Sequence, residues 1–384
     1  MDSVIPKLKE FQSKNQCTLL GVGPMSKNCV DSVLEIVKEY NIPLMLIASR
    51  RQIESEELGG GYVNNWSTEE FSKYVKMHDS TRNIILCRDH GGPWQNNFEK
   101  KTSLSSAIES SKRSYKKDIE SGFEIIHIDA SEDTRYNKLP IDDILERSFE
   151  LYEYCWDVSK QVGRKIEFEI SIGKEDGGVH SIEEIEYALS MIKKFCYKKE
   201  IPTPLFFVVR TGNQVMETRN IGNFTEIITN PEYSHLRSHI TAIIKLLNNN
   251  KIMLKEHNTD YLSDELLKLH PTLGIHAANV APEFGVVETR AFLDLLKKNN
   301  LSRECEQFID MSYKSEKWKK WVIDSNNLQK TDKAIICGHY IFSTTEFIKL
   351  KECVKQKISC DVDLYLKSKV KTSILRYLTS FNMI

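Results

Sequence analysis

No stretch of this 384-residue chain holds the run of about 18 apolar residues that a spanning helix needs, so no membrane crossing is expected. An excess of one charge is also missing. Against 53 Lys and Arg stand 54 Asp and Glu, a formal charge of −1, which removes the basic field that nucleic acid or an anionic membrane would select. The nine cysteines (17, 29, 87, 155, 196, 305, 337, 353 and 360) contain no CxxC pair, and several sit inside apolar runs. That pattern argues for reduced thiols and against a disulfide framework or a cysteine zinc site. The segment from Met1 to Phe11 has neither an apolar h-region nor a cleavage site, so a cytoplasmic protein is expected. Finally, no GxGxxG follows the first strand candidate, and Gly21-Val-Gly23 is too short to be a dinucleotide fingerprint.

What is present is a regular alternation. Short β-branched runs at Thr18–Val22, Pro43–Ala48, Ile84–Cys87, Glu124–Ile128, Lys165–Ile170, Leu205–Val209, Ile252–Lys255 and Leu273–Ala277 read as strands. Amphipathic stretches fall between and after them: Asn28–Tyr40, Ser67–Met77, Ser103–Ser121, Ile141–Val162, Ser181–Tyr197, Pro231–Leu247, Ser263–His270 and Glu283–Lys298. Ser67-Thr-Glu-Glu70 and Ser181-Ile-Glu-Glu184 have capping-box spacing and mark helix starts. Eight βα units in about 300 residues predict an α/β fold, a (β/α)₈ TIM barrel, over a doubly wound open sheet. Residues 1–300 are therefore expected to form the barrel, and 301–384 a mainly helical C-terminal extension packed on it. In that tail glycine nearly vanishes, lysines and Trp318 and Trp321 appear, and the apolar run Ala334–Phe342 reads as core, strand or partner-facing surface.

Chemistry in a parallel barrel belongs at the carboxyl ends of strands. The third strand candidate runs into Asp89-His90-Gly-Gly-Pro93, and the seventh into Glu256-His257-Asn-Thr-Asp260. A lone histidine there most simply caps a strand. Two imidazoles from two strand ends, each with a carboxylate close by, are what a catalytic divalent metal requires. The fourth strand ends in His127-Ile-Asp129, and an inward Asp129 at a barrel mouth is costly unless paired or used. In the fifth, Glu167, Glu169 and Ser171 share a face and point inward, which calls for cation partners, while Glu175 beside Gly173 is better placed for a metal. The second ends in Arg50-Arg51 before the Gly59-Gly-Gly61 loop and the sixth in Arg210-Thr-Gly-Asn-Gln214. Arg51 and Arg210 are candidate anion clamps, and Gln214 brings an amide oxygen.

Taken in order, Gly59-Gly-Gly-Tyr62, Asp89-His-Gly-Gly-Pro93, Ile126-His-Ile-Asp-Ala-Ser131, Ile172-Gly-Lys-Glu175, Val208-Val-Arg-Thr-Gly212, Glu256-His-Asn-Thr-Asp-Tyr261 and Val280-Ala-Pro282 give the chain a family likeness. It resembles the accessory (Z-type) subunits of class II tagatose-bisphosphate aldolase and the related ketose 4-epimerases, over roughly residues 15–300. The resemblance implies a zinc-type TIM barrel with His90 and His257 as metal ligands, Glu175 as the third and Asp89 as the neighbouring acid/base. Asp129 is the second candidate for proton transfer. Arg51, Arg210, Gln214, Asp260 and Asn279 are the candidate substrate-binding residues. The chain departs from the catalytic class II aldolases in lacking a histidine after the sixth strand, and from the Z-type relatives in carrying Arg50-Arg51 where they have Ser-Asn. The implied activity is metal-dependent epimerase or aldolase chemistry on a ketose phosphate, by retro-aldol or enediolate chemistry or by proton transfer at C4. Zinc is the implied ion, with manganese second. The alternative is a non-catalytic stabilising subunit for a class II aldolase catalytic chain, and a homo-oligomer is compatible with either.

Overall fold

In the computed structural model, residues 3–136, 138–174 and 178–384 are described. Helix α1 (Ile5–Asn15) precedes the repeating units β1 (Leu19–Val22), α2 (Lys27–Tyr40), β2 (Leu44–Ser49), α3 (Thr68–His78), β3 (Ile84–Gly91) and α4 (Leu104–Ser121). They continue with β4 (Ile125–Ile128), α5 (Ile141–Gln161), β5 (Glu167–Ile170), α6 (Ile182–Lys199) and β6 (Phe206–Val208). A small antiparallel hairpin, β7 (Val215–Met216) and β8 (Arg219–Asn220), leads to α7 (Ser234–Asn249), β9 (Met253–Glu256), α8 (Asp264–Leu273), β10 (Ala277–Val280) and α9 (Pro282–Lys298). The tail holds α10 (Ser302–Lys314), α11 (Lys330–Cys337), α12 (Thr345–Lys357) and α13 (Val362–Ser380). Strands β1 to β6, β9 and β10 pair in parallel and close in the order β1-β10-β9-β6-β5-β4-β3-β2. This is a (β/α)₈ barrel with a helical C-terminal region, and closure excludes the open sheet.

Both capping boxes form as the spacing predicts. Glu70 N donates to Ser67 Oγ at 3.2 Å and Ser67 N to Glu70 Oε2 at 2.8 Å, and Ser181 and Glu184 repeat the exchange at 3.1 and 3.0 Å. One strand was misplaced. The eighth is expected at 273–277 but runs Ala277–Val280, because α8 carries Pro271 inside its last turn and continues to Gly274, whose φ of 86° makes the C-cap. Ala-Ala-Asn-Val is also poor in β-branched residues, so its strand signal is weak.

The two ends of the barrel differ. At the amino ends of the strands α1 lies across the opening, with Lys9 paired to Glu167 at 2.8 Å and Ser3 Oγ donating to Glu124 at 2.6 Å. The carboxyl ends open toward the βα loops. Helix α13 packs on α2, α8 and α9, and its Val370, Ile374, Tyr377 and Leu378 join the same buried core as the strands. Phe381 O accepts Thr18 N at 3.0 Å, so the end of the chain is tied to the start of β1. The last helix of the tail thus fills the outer layer between α8 and α2. Helix α9 turns its Phe292, Leu295 and Leu296 into a separate apolar cluster with Phe308, Phe347 and Leu350 of α10 and α12. Ala334, Ile336 and Cys337 of the apolar run 334–342 are buried in α11.

Candidate metal centre

Period-two alternation sends consecutive residues of β3 to opposite layers. Arg88 faces the helices, where its guanidinium meets Asp118 Oδ1 and Oδ2 at 2.5 and 2.7 Å. Asp89 faces the barrel interior. The strand does not stop at Cys87 but runs to Gly91, and its pairing with β4 shifts register between Arg88 and Gly91. His90 takes a φ of 43° there, a conformation unusual for a side-chain-bearing residue, and this bulge aims its ring at the interior. Gly92 follows at φ 130°, where an added Cβ would lie 2.0 Å from Asp129 O. Only glycine lets the two strand ends approach so closely.

Strands β4, β5 and β9 supply the rest. His127, Glu169, Lys255 and the residue after β9, His257, are all buried. His90 Nδ1 lies 2.8 Å from Asp129 Oδ2, and His257 Nε2 lies 2.9 Å from Glu169 Oε1. Glu169 is in turn held by Lys255 Nζ at 2.6 Å. Burial alone would raise the Glu169 carboxyl, but Lys255 and the nearby imidazoles outweigh it and bring it down to about 2. Asp89 and Asp129, equally enclosed, are likewise held well below the usual carboxylate range by the surrounding histidines.

Asp129 and Glu169 orient the two rings, His90 through Nδ1 and His257 through Nε2. The second ring nitrogens, His90 Nε2 and His257 Nδ1, lie 3.3 Å apart, a separation that suits two nitrogens bound to one ion. Burial pushes the pKa of His257 down, so the ring resists a second proton. His127 accepts His90 N on Nδ1 at 3.2 Å, and its buried Nε2 has no hydrogen-bond partner among the described residues. One ring nitrogen from each of His90, His127 and His257 lies within 4.8 Å of the others, and Asp89, His127, Glu169 and His257 form a second group as tight. Imidazoles steered by carboxylates are the donor set of a divalent transition-metal site, and the residues fit one.

The remaining sequence candidates divide. Asn279 Nδ2 donates to Asp89 Oδ1 at 3.3 Å, and an added Cβ at Gly21 would come within 2.3 Å of Asn279 Oδ1, so Gly21 makes room for that side chain. Asp129 has both oxygens engaged, by His90 and Gln95 on one side and by Ser131 and Ser171 on the other. Asp260 Oδ1 accepts Ala281 N at 3.1 Å and Glu283 N at 2.8 Å, capping the start of α9. Arg210 is half-buried near Gly173, and its amide donates to His180 Nδ1 at 3.1 Å. Gln214 N bonds Asn220 Oδ1 at 3.2 Å at the base of the β7–β8 hairpin. Arg51 is half-exposed after β2, whereas its neighbour Arg50 is buried against Glu54 and Glu99 at 2.6 and 2.5 Å. Glu175 lies outside the described residues.

Three interior residues escaped the choice of site residues: His127, Glu169 and Lys255. Alternation had already put Glu169 inside and called for a cation. The missing signal was Lys255, a lysine within the apolar run of β9, which answers that call across the barrel.

The sequence matches no protein-family profile and no curated protein. Solved structures do match. A probable tagatose 6 phosphate kinase of Sinorhizobium meliloti 1021 is 14% identical, with 94% of this chain and 100% of that one covered at a TM-score of 0.72. The fructose-bisphosphate aldolase of Campylobacter jejuni is 12% identical over 98% and 93% of the two chains, TM-score 0.56. The fructuronate-tagaturonate epimerase UxaE of Cohnella laeviribosi is 11% identical over 95% and 81%, TM-score 0.56. At these identities the likeness is one of fold. The fold and site together define a (β/α)₈ barrel with a buried histidine–carboxylate cluster at its carboxyl-terminal mouth.

Proposed function

We propose that this protein is a divalent-metal-dependent epimerase or aldolase of ketose sugars, with zinc the preferred ion and manganese second. The observation that carries the reading is the convergence of His90, His127 and His257, with one ring nitrogen of each within 4.8 Å of the others and the rings of His90 and His257 each held by its own buried carboxylate. His90, His127 and His257 would hold the ion, with Glu175 kept from the sequence pattern as a further ligand. A bound ion of this kind supplies Lewis acidity to a carbonyl and its adjacent hydroxyl. Asp129 and Glu169 keep the rings oriented on the inner side. Asp89 moves the proton at the substrate hydroxyl, because it is ionised and its carboxylate is anchored by Asn279 at only 3.3 Å, leaving acceptor capacity. Asn279 positions Asp89. Cleavage between C3 and C4 with departure of the aldehyde would make an aldolase, and re-addition or direct proton transfer at C4 an epimerase. The kinship in fold with both kinds of enzyme is compatible with either outcome.

The test is metal analysis of purified protein, then NMR of the loaded protein with a panel of ketoses, ketose phosphates and keto sugar acids. About one divalent ion per chain and a stereochemical change or cleavage at C4 are expected. A full metal complement in both His90→Ala and His257→Ala would sink the site. A metal-loaded chain that turns over no ketose, yet raises the activity of a class II aldolase catalytic chain, would favour the stabilising-subunit alternative.

A further inference from the structure

The tail does more than complete the barrel wall. The short 3-10 segment Lys317–Lys320 and the following Trp321 reach the βα loops: Glu217 N, in the turn of the β7–β8 hairpin, donates to Trp321 O at 2.7 Å. Trp321 Nε1 donates to Tyr340 Oη at 3.1 Å, and the Tyr340 ring packs on Tyr62 at 4.6 Å between centroids. Tyr62 belongs to the loop after β2, and its amide donates to Arg51 O at 3.1 Å. In register, Ser49 of β2 lies beside Asp89 of β3, so Arg51 sits two residues beyond the level of the metal-centre carboxylate. Tail, hairpin and second loop therefore meet over one side of the mouth.

Among the described residues, two cations there have no carboxylate of their own. Lys320 Nζ stands 4.3 Å from the Trp321 ring centroid and 5.5 Å from that of Tyr340, which fixes the ammonium above both aromatic faces. Among the described residues neither Arg51 nor Lys320 has a carboxylate partner within ion-pair distance. Surface lysines elsewhere on the tail mostly do, as in Lys319–Glu316, Lys330–Asp310 and Lys357–Glu304. Lys320 is exposed, and the protein around its stem together with the like charges of Arg51 and Lys317 lowers the pKa of its amine. A group of cations that repel one another without a counter-charge is stabilised by an anionic ligand.

We infer that Arg51 and Lys320 form an anion subsite at the mouth of the centre, completed by the C-terminal segment, and that it takes the phosphate or carboxylate of an acidic ketose. The choice of ketose rests on the function proposed above; the anion subsite does not. The guanidinium of Arg51 offers a planar fork for two oxygens, and Lys320 a point charge on a fixed aromatic shelf.

The test uses inorganic phosphate and glucuronate as probes and fructose as the neutral control, with binding to the full-length, metal-loaded protein followed by calorimetry. Wild type should bind at least one anion and weaken with salt, and fructose should gain nothing from the cluster. Lys320→Gln and Arg51→Gln should each lower anion affinity about 10- to 100-fold, with metal content and unfolding midpoint unchanged. Stronger binding of phosphate marks a sugar phosphate as ligand, and stronger binding of glucuronate a sugar acid. Absence of anion binding to wild type, or affinities within about twofold of it in both variants, would overturn the subsite. Anion binding that behaves as expected on a protein without metal or turnover would leave the subsite standing and remove the enzyme reading.

Discussion

Arg88 and Asp89 are adjacent in one strand, yet they belong to two buried ionic clusters with opposite characters. The outer cluster, between strands and helices, is complete. Arg88 is matched by both oxygens of Asp118 and by the carbonyls of Ala48 and Ile53, and Arg50 by Glu54 and Glu99. The inner cluster is incomplete. Asp89, His90, His127, Glu169 and His257 crowd together, with ring nitrogens of His90 and His257 3.3 Å apart and His127 Nε2 without a hydrogen-bond partner among the described residues. Most of both is shielded from water, with His90, 31% of its side chain exposed, as the exception, so burial alone does not tell them apart. Whether every donor and acceptor is already used does: the first binds the fold together and the second awaits a ligand.

The sharpest way to break this contrast is to damage each cluster and compare costs. Arg88→Met leaves Asp118 buried without its cation and should destabilise the protein by about 3–5 kcal/mol in urea unfolding. Adding Asp118→Leu should recover most of it, since an apolar pair replaces a satisfied ion pair at little cost. A single-variant loss under about 1 kcal/mol would show the outer pair to be dispensable. In the inner cluster, His257→Ala should abolish metal binding and cost less metal-free stability than Arg88→Met, because Glu169 keeps Lys255 as its cation when the ring is gone. Asp89→Asn keeps shape and loses basicity, so metal should stay and turnover fall about 10²- to 10⁴-fold. Near-wild-type turnover in that variant would move the proton-transfer role to another group.

The contrast also shows what was legible in the sequence. Eight apolar runs alternating with amphipathic helices announced the barrel, and Asp-His-Gly-Gly-Pro announced the β3 strand end, because periodicity and turn chemistry are local. The facing of His90 and His257 was inferable only because the fold brings strand ends into one mouth. The bulge that turns His90 was hidden, since it depends on β4 pairing across Gly91. His127 looked like one polar residue in an apolar strand, and only the neighbouring rings give it a purpose. Arg50 and Arg51 were indistinguishable as a pair of basic residues. Strand exit geometry buries the first against two glutamates and leaves the second at the rim. The tail gave least, because α13 fills the barrel wall through contacts with residues more than 300 positions away.

A third buried carboxylate allows a gentler test of the same distinction. Glu288 of α9 is enclosed and accepts hydrogen bonds from Ser26 Oγ and, at 2.8 Å, from Asn28 Nδ2, but among the described residues no cation is paired with it directly. Burial raises its pKa from 4.5 to about 7, with the charge of Asp363 adding to the rise and Ser26, Asn28 and Lys351 opposing it. A group raised on folding stabilises the folded state fully below its unfolded value and loses that contribution as pH climbs through the folded one. Glu288 should therefore add stability near pH 4.5 that is lost by about pH 7–8, a change on the order of 1–3 kcal/mol. Glu288→Gln stays neutral throughout, and its amide oxygen still accepts from Asn28. Urea midpoints at pH 5, 6, 7 and 8 should show the variant gaining on wild type as pH rises. Asp260, raised to about 7 by burial and by Glu283, contributes a similar slope to both proteins and cancels in the comparison. Two parallel stability curves would mean that Glu288 is already ionised at pH 5, and that the hydrogen bonds of Ser26 and Asn28 satisfy its charge.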